Sequence, residues 1–208
     1  MLDRTRALWR RQDRHEGDRW RLFRAVSDHV RADRVLYPGS YVDVAPSFVF
    51  PSVTYVDVDD RAAAFFADRQ GVAELIREHP GSPAEPRFEF HHADYTADLG
   101  LPAGGFDLLV SLYAGFVSEA CTGLLRVGGT LLVNPSHGDA ALASLDRRYR
   151  LGSAVLATSG GYRVSAADLD TFLQPKKPAA LTRESLRASG RGVAYTRPAF
   201  AYLFRRVR

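Results

Sequence analysis

The sequence has a single cysteine, Cys121, so no internal disulfide framework is available to it. It has only two lysines, Lys176 and Lys177; the other 26 basic residues are arginines. No apolar run approaches the roughly 20 residues that a membrane-spanning helix requires. The opening MLDRTRALWRRQDRHEGDRW is charged throughout and lacks the apolar centre of a secretory leader. There is no internal repeat and no low-complexity tract. A P-loop and a G-x-S-x-G elbow are also missing, which removes the commonest nucleotide-hydrolase and serine-hydrolase signatures. Together these absences predict a soluble cytoplasmic protein without a membrane partner.

What is present is enough for a sizeable core: 46% of the 208 residues are apolar. The net charge of +4 is unevenly spread. Residues 1–34 carry +4, residues 183–208 carry +6, and the stretch between carries −6. Basic ends suit an anionic partner. Nucleic-acid surfaces, however, more often show a tight basic cluster interleaved with aromatics, so a nucleic-acid partner is disfavoured.

The periodicity alternates strands with helices. Residues 2–15 and 18–31 read as helices, the second from Trp20, Phe23, Val26 and Val30 at helical spacing. RVLYP and SVTYVDV read as strands, followed by one helical stretch, DRAAAFFADRQGVAELIREH. RFEFHHAD is a third strand, and FDLLVSLYA a fourth that is apolar enough for burial on both faces. SEACTGLLRV reads as a helix ended by Gly128-Gly129, with GTLLVNPS the fifth strand. Further on come a helix in DAALASLDRRY, an extended pair around Gly160-Gly161, and a short helix in AADLDTFL. After the breaker QPKKP, Thr182 caps the helix RESLRAS and Gly190 ends it; AFAYLFRRV closes as an antiparallel strand at the sheet edge. This predicts a helical segment over residues 1–33 packed on a single domain over 34–208. The class is α/β: a doubly wound, mostly parallel sheet with helices on both faces.

In such sheets ligands bind beyond the carboxyl ends of the strands. The loops there are 38–43, 57–59, 93–95, 111–115 and 134–139, and they are expected to form one cleft. Asp57, ending the second strand, suits the hydroxyls of a ribose. Asp94 suits an adenine amino group, with Tyr95 beside it; Ser111 and Tyr113 follow the fourth strand. His91 and His92 are adjacent on a strand and face opposite ways, so no metal site is expected. Cys121, in an apolar stretch, reads as core.

At this point the chain resembles the class I S-adenosylmethionine-dependent methyltransferases, Rossmann-like proteins. The resemblance covers about residues 34–136. It rests on VTYVD as ribose strand, FEFHHAD as adenine strand, FDLLVSLYA as central strand, and LLRVGGTLLV as helix, turn and strand. It implies S-adenosylmethionine as cofactor and a small-molecule methyl acceptor. The cofactor-binding positions would be Gly39, Ser40, Tyr41, Asp43, Asp57, Asp94, Tyr95 and Ser111. His137, Asp139 and Tyr113 are the candidates for a catalytic base. The chain departs from the family at D-x-G-x-G-x-G, where it has Tyr37, Gly39, Tyr41 and Asp43. Tyr41 and Asp43 either rebuild that half of the site or close it. The second outcome would make the protein a scaffold or binding module; a nucleic-acid methyltransferase is the third reading.

Overall fold

The computed structural model describes residues 2–177 and 181–208. Pro178 of the expected QPKKP breaker lies outside the described residues. Contacts divide the chain into two compact units, Met1–Gly100 and Leu101–Arg208.

In the first unit, helices α1 (Leu2–Gln12) and α2 (Asp18–Ser27) precede strand β1 (Arg34–Pro38). Strand β2 (Ser52–Asp57), helices α3 (Asp60–Ala67) and α4 (Arg69–Glu78), and strand β3 (Arg87–His92) follow. β2 pairs in parallel with β1 and with β3, Leu36 lying opposite Thr54 and Tyr55 opposite Phe90. Between β1 and β2 stands only a 3-10 turn, Ala45–Phe48, because Pro46 and Pro51 forbid a longer helix. α2 packs on this turn, burying Leu22, Phe23 and Val26, and the Phe23 ring lies 6.1 Å from that of Tyr37. The N-terminal segment thus buries apolar surface beside a crossover too short to cover it.

The single helix expected after β2 is two helices, and the break has both a local and a tertiary part. The Asp68 carboxylate accepts hydrogen bonds from the Gly71 amide at 3.3 Å and from the Thr5 hydroxyl at 2.6 Å. Asp68 therefore caps α4 and anchors α1. A Cβ at position 71 would sit 2.4 Å from Asp68 Oδ2, so only glycine admits the cap.

In the second unit, strand β4 (Phe106–Ser111) leads through helix α5 (Val117–Ala120) to strand β5 (Leu125–Val133). Helix α6 (Asp139–Leu145), strands β6 (Tyr149–Thr158) and β7 (Gly161–Ser165), helix α7 (Arg183–Ser189) and strand β8 (Ala201–Arg206) complete it. The order is β4-β5-β8-β6-β7. β5 is parallel to β4, and β8 is antiparallel to both β5 and β6, so the closing strand expected at the sheet edge lies inside the sheet and β7 forms the antiparallel edge. The helix expected over SEACTGLLRV is a correction: one α-helical turn and a 3-10 turn, Thr122–Leu124, form, and β5 begins at Leu125. Phe106 pairs with Leu125 but Leu108 with Thr130, so β5 bulges over residues 126–129. Gly128 takes φ +82° there, and a Cβ on Gly129 would meet the Asp107 carbonyl at 3.0 Å. The glycines serve a bulge, not a helix end. The helix expected in AADLDTFL is likewise only a 3-10 turn, Leu169–Thr171, entered through Asp168 at φ +52°. Thr182 and Gly190 bound α7 as expected, the first through a reciprocal pair of hydrogen bonds with Ser185.

Strands alternate with helices, pairing is parallel within β1–β3 and between β4 and β5, and the antiparallel pairs come toward the C-terminus. This is the α/β, Rossmann-like class that the periodicity indicates.

Candidate functional site

The first unit brings three strand ends together. The Gly39 amide donates to the Val56 carbonyl at 2.8 Å and the Ala93 amide to the Asp57 carbonyl at 3.1 Å. His92 Nε2 lies 2.9 Å from the Val58 carbonyl. Within this frame the half-buried Asp57 carboxylate accepts from the Tyr41 amide at 2.7 Å on Oδ2 and from the Asp59 amide at 2.9 Å on Oδ1. It thereby ties the loop after β1 to the turn after β2. Each of its oxygens has two acceptor sites, so capacity remains for a diol.

The loop after β1 turns without the three glycines. Gly39 stands at φ +64° and Tyr41 at φ +49°. A left-handed tyrosine costs about 1–2 kcal/mol of backbone strain, so other contacts must hold it. Besides the bond to Asp57, the Arg61 guanidinium stacks 5.2 Å over the Tyr41 ring. Arg61 is itself held by Asp59 through two hydrogen bonds of 3.0 and 2.6 Å, and this pairing draws the Asp59 carboxyl down to about 2. Arg61 was not legible as a site residue from sequence; its only local signal is its place two residues after the Asp59 helix cap.

Asp43 faces inward. It is fully buried, 3.1 Å from the donating Tyr37 hydroxyl, 3.2 Å from the Ala45 amide and 3.5 Å from Arg19 Nε on α2. Burial raises its carboxyl above the ordinary range, and the Arg19 charge works against that rise. The pair Tyr37 and Asp43, replacing the usual acid and a glycine, props the loop from beneath. Ser40 is also buried, with its hydroxyl directed at the Tyr41 carbonyl at 3.4 Å. Asp94 is exposed; its Oδ1 accepts from the Thr96 amide and hydroxyl, both at 2.8 Å, and these bonds lower its pKa. Tyr95, beside it, is half-buried.

The second unit holds a separate polar cluster. Ser111, Ser118 and Asp139 are all about 1% exposed. Asp139 Oδ2 accepts from the Ser111 hydroxyl at 2.6 Å and the Ser118 amide at 3.1 Å, while Oδ1 accepts from the Ser118 hydroxyl at 2.5 Å. Burial still wins and pushes this carboxyl up to about 6. The Tyr149 hydroxyl extends the network, 3.0 Å from Thr122 Oγ1 and 3.2 Å from the Ser118 carbonyl. Asn134 Oδ1 accepts from the Ser136 hydroxyl at 2.8 Å and the Tyr113 amide at 3.3 Å, joining the loops after β4 and β5. On those loops Tyr113 (φ +62°, 54% exposed) and His137 (φ +54°) present their side chains outward. Of the three candidate bases, then, two are exposed and Asp139 is enclosed. Ser118 was missed in the sequence because its partner Asp139 lies 21 residues away in the chain, whereas Asn134 stands in the 134–139 loop that the sequence placed at the cleft. Cys121 is fully buried, and burial pushes its thiol up to about 12. Among the described residues no group of histidine, cysteine and carboxylate side chains is arranged to hold a metal, and no helix is long and apolar enough to cross a membrane.

No protein-family profile matches the chain, and no curated protein shows significant sequence similarity to it. Solved structures do match. A putative O-methyltransferase from Klebsiella pneumoniae aligns with a TM-score of 0.50 at 10% identity, over 71% of this chain and 77% of that one. The O-methyltransferase TomG from Streptomyces achromogenes, in complex with SAM, aligns at 0.44 and 14%, over 70% and 76%. The 16S rRNA methylase RmtB aligns at 0.47 and 13%, over 87% and 60%. What the first of these shares with the chain is its fold, and the chain accordingly has the class I methyltransferase fold.

Proposed function

We propose that the protein is an S-adenosylmethionine-dependent methyltransferase acting on a small molecule. The observation that carries this reading is Asp57: a half-buried carboxylate at the end of β2, held by backbone amides on two loops and with acceptor capacity left. A ribose diol supplies two donors, so the residues fit the group. Asp57 would hold the ribose, and Asp94, kept ionised by its Thr96 bonds, would accept from the adenine amino group. Gly39 and the backbone of Tyr41 would border the cofactor's amino-acid portion. When bound, the cofactor supplies an electrophilic sulfonium methyl. The chain's own contribution is alignment of the acceptor and removal of its proton. Tyr113 and His137 are the candidates for that proton, whereas Asp139 positions Ser111 and Ser118.

A second reading, a scaffold that no longer binds the cofactor, is favoured by the same carboxylate, since the loop amides already occupy part of it. Isothermal calorimetry with S-adenosylmethionine and S-adenosylhomocysteine separates the two. Binding heat is expected; its absence at high concentration of demonstrably folded protein sinks the enzyme reading.

A further inference from the structure

The β5 bulge opens a shallow pocket of about 440 Å³ in the second unit, lined by Val127, Gly128, Arg150, Gly152, Arg205 and Val207 among others. It is formed where β5 and β6 begin and β8 ends, at the opposite ends of β4 and β5 from the loops that carry Ser111 and Asn134. Arg205 lies directly across from Arg150 on the antiparallel β6, and directly across from Thr130 on β5. The three side chains therefore share one face of the sheet. Like charges directly opposite each other are destabilising. Here the pair is not neutralised: among the described residues no acidic side chain forms an ion pair with Arg150 or Arg205, and none lines the pocket.

Two neighbouring arginines are accounted for. Arg126 Nε donates to Asp107 at 2.5 Å, and the Arg206 guanidinium donates to the Thr122 and Leu125 carbonyls. Arg126 still adds charge: a Cβ on Gly128 would lie 3.6 Å from Arg126 Nη1 and 3.6 Å from Arg205 Nη2. The glycine leaves the space between these guanidinium groups open. Beside it stand Val127, 59% exposed, and Val207, 40% exposed, two of the few large apolar side chains left in solvent.

We infer that this pocket binds a small phosphorylated ligand, its phosphoryl oxygens on Arg205 and Arg150 and an apolar portion over Val127 and Val207. Planar guanidinium groups suit phosphate oxygens, and a dianion between the two strands would remove the repulsion. The site does not depend on the methyltransferase reading.

The test is calorimetry and thermal unfolding in low-salt buffer with inorganic phosphate, phenyl phosphate and a 20-nucleotide RNA. Phenyl phosphate should bind more tightly than phosphate, and Arg150→Gln/Arg205→Gln should weaken it by about tenfold or more. Without added anion the double variant should melt no lower than the wild type, because the repulsion is gone. Phosphate should raise the melting temperature above that in chloride of equal ionic strength more in the wild type than in the double variant, since its general stabilisation of folded proteins acts on both alike. An equal rise in the two proteins, unchanged affinity in the double variant, or a response to RNA alone would each overturn the proposal.

Discussion

Asp139→Asn offers a test that separates a buried charge from a merely polar contact. The carboxyl sits near 6 in the folded chain, against about 3.9 in an unfolded one. A raised carboxyl binds its proton more tightly in the native state, so stability is greatest below the unfolded value and falls as pH rises through the folded one. Two units at about 1.4 kcal/mol each make the full loss about 3 kcal/mol, reached above pH ~6. Between about pH 4.5 and about pH 8 the loss is about 2 kcal/mol, since part of it has developed by the lower pH. The amide does not titrate. Its oxygen can keep the bonds from the Ser111 hydroxyl and the Ser118 amide, and the Ser118 hydroxyl can turn to accept from its NH₂. Whatever the substitution costs at one pH cancels in the difference between two. Urea unfolding of both proteins at both pH values should therefore show the variant gaining about 2 kcal/mol on the wild type at the higher pH. A wild-type-to-variant gap that is the same at both would refute the claim that burial outweighs the three donors.

Asp57→Ala should weaken S-adenosylmethionine binding by about 1–3 kcal/mol by calorimetry; unchanged affinity would remove Asp57 from the ribose site. Tyr41→Gly relieves a left-handed tyrosine and clears its ring, so it should tighten cofactor binding, and a loss of affinity would show that the ring or its Arg61 stack is part of the site. Tyr37→Phe removes a hydroxyl donated to a buried carboxylate and should cost about 1.5–3 kcal/mol in urea unfolding. A neutral outcome would mean that Arg19 and the Ala45 amide suffice for Asp43.

The alternation of strands and helices was legible because it rests on local periodicity: period two in VTYVD, helical spacing in Trp20, Phe23 and Val26, glycine and threonine at the ends of α7. Alternation in turn put Asp57 and Asp94 at strand ends. Elsewhere the local pattern misled. LLRVGG has a helix-like apolar spacing and a glycine stop, yet pairing with β4 gives more to Leu125 than an isolated turn could, and the bulge absorbs the surplus residues. The break at Asp68 joins a local cap on Gly71 to a bond from Thr5, 63 residues distant.

Among the site residues, the sequence by itself determined which kinds of group stand at the ends of the strands, since order and spacing along the chain are enough to place them. Only the tertiary structure decided which of those groups face solvent. Asp43 and Asp139 are as polar as Asp57 and Asp94, but burying a carboxylate requires partners with donors or positive charge. Those partners, Arg19 for the one and Ser111 and Ser118 for the other, are brought into reach only by folding.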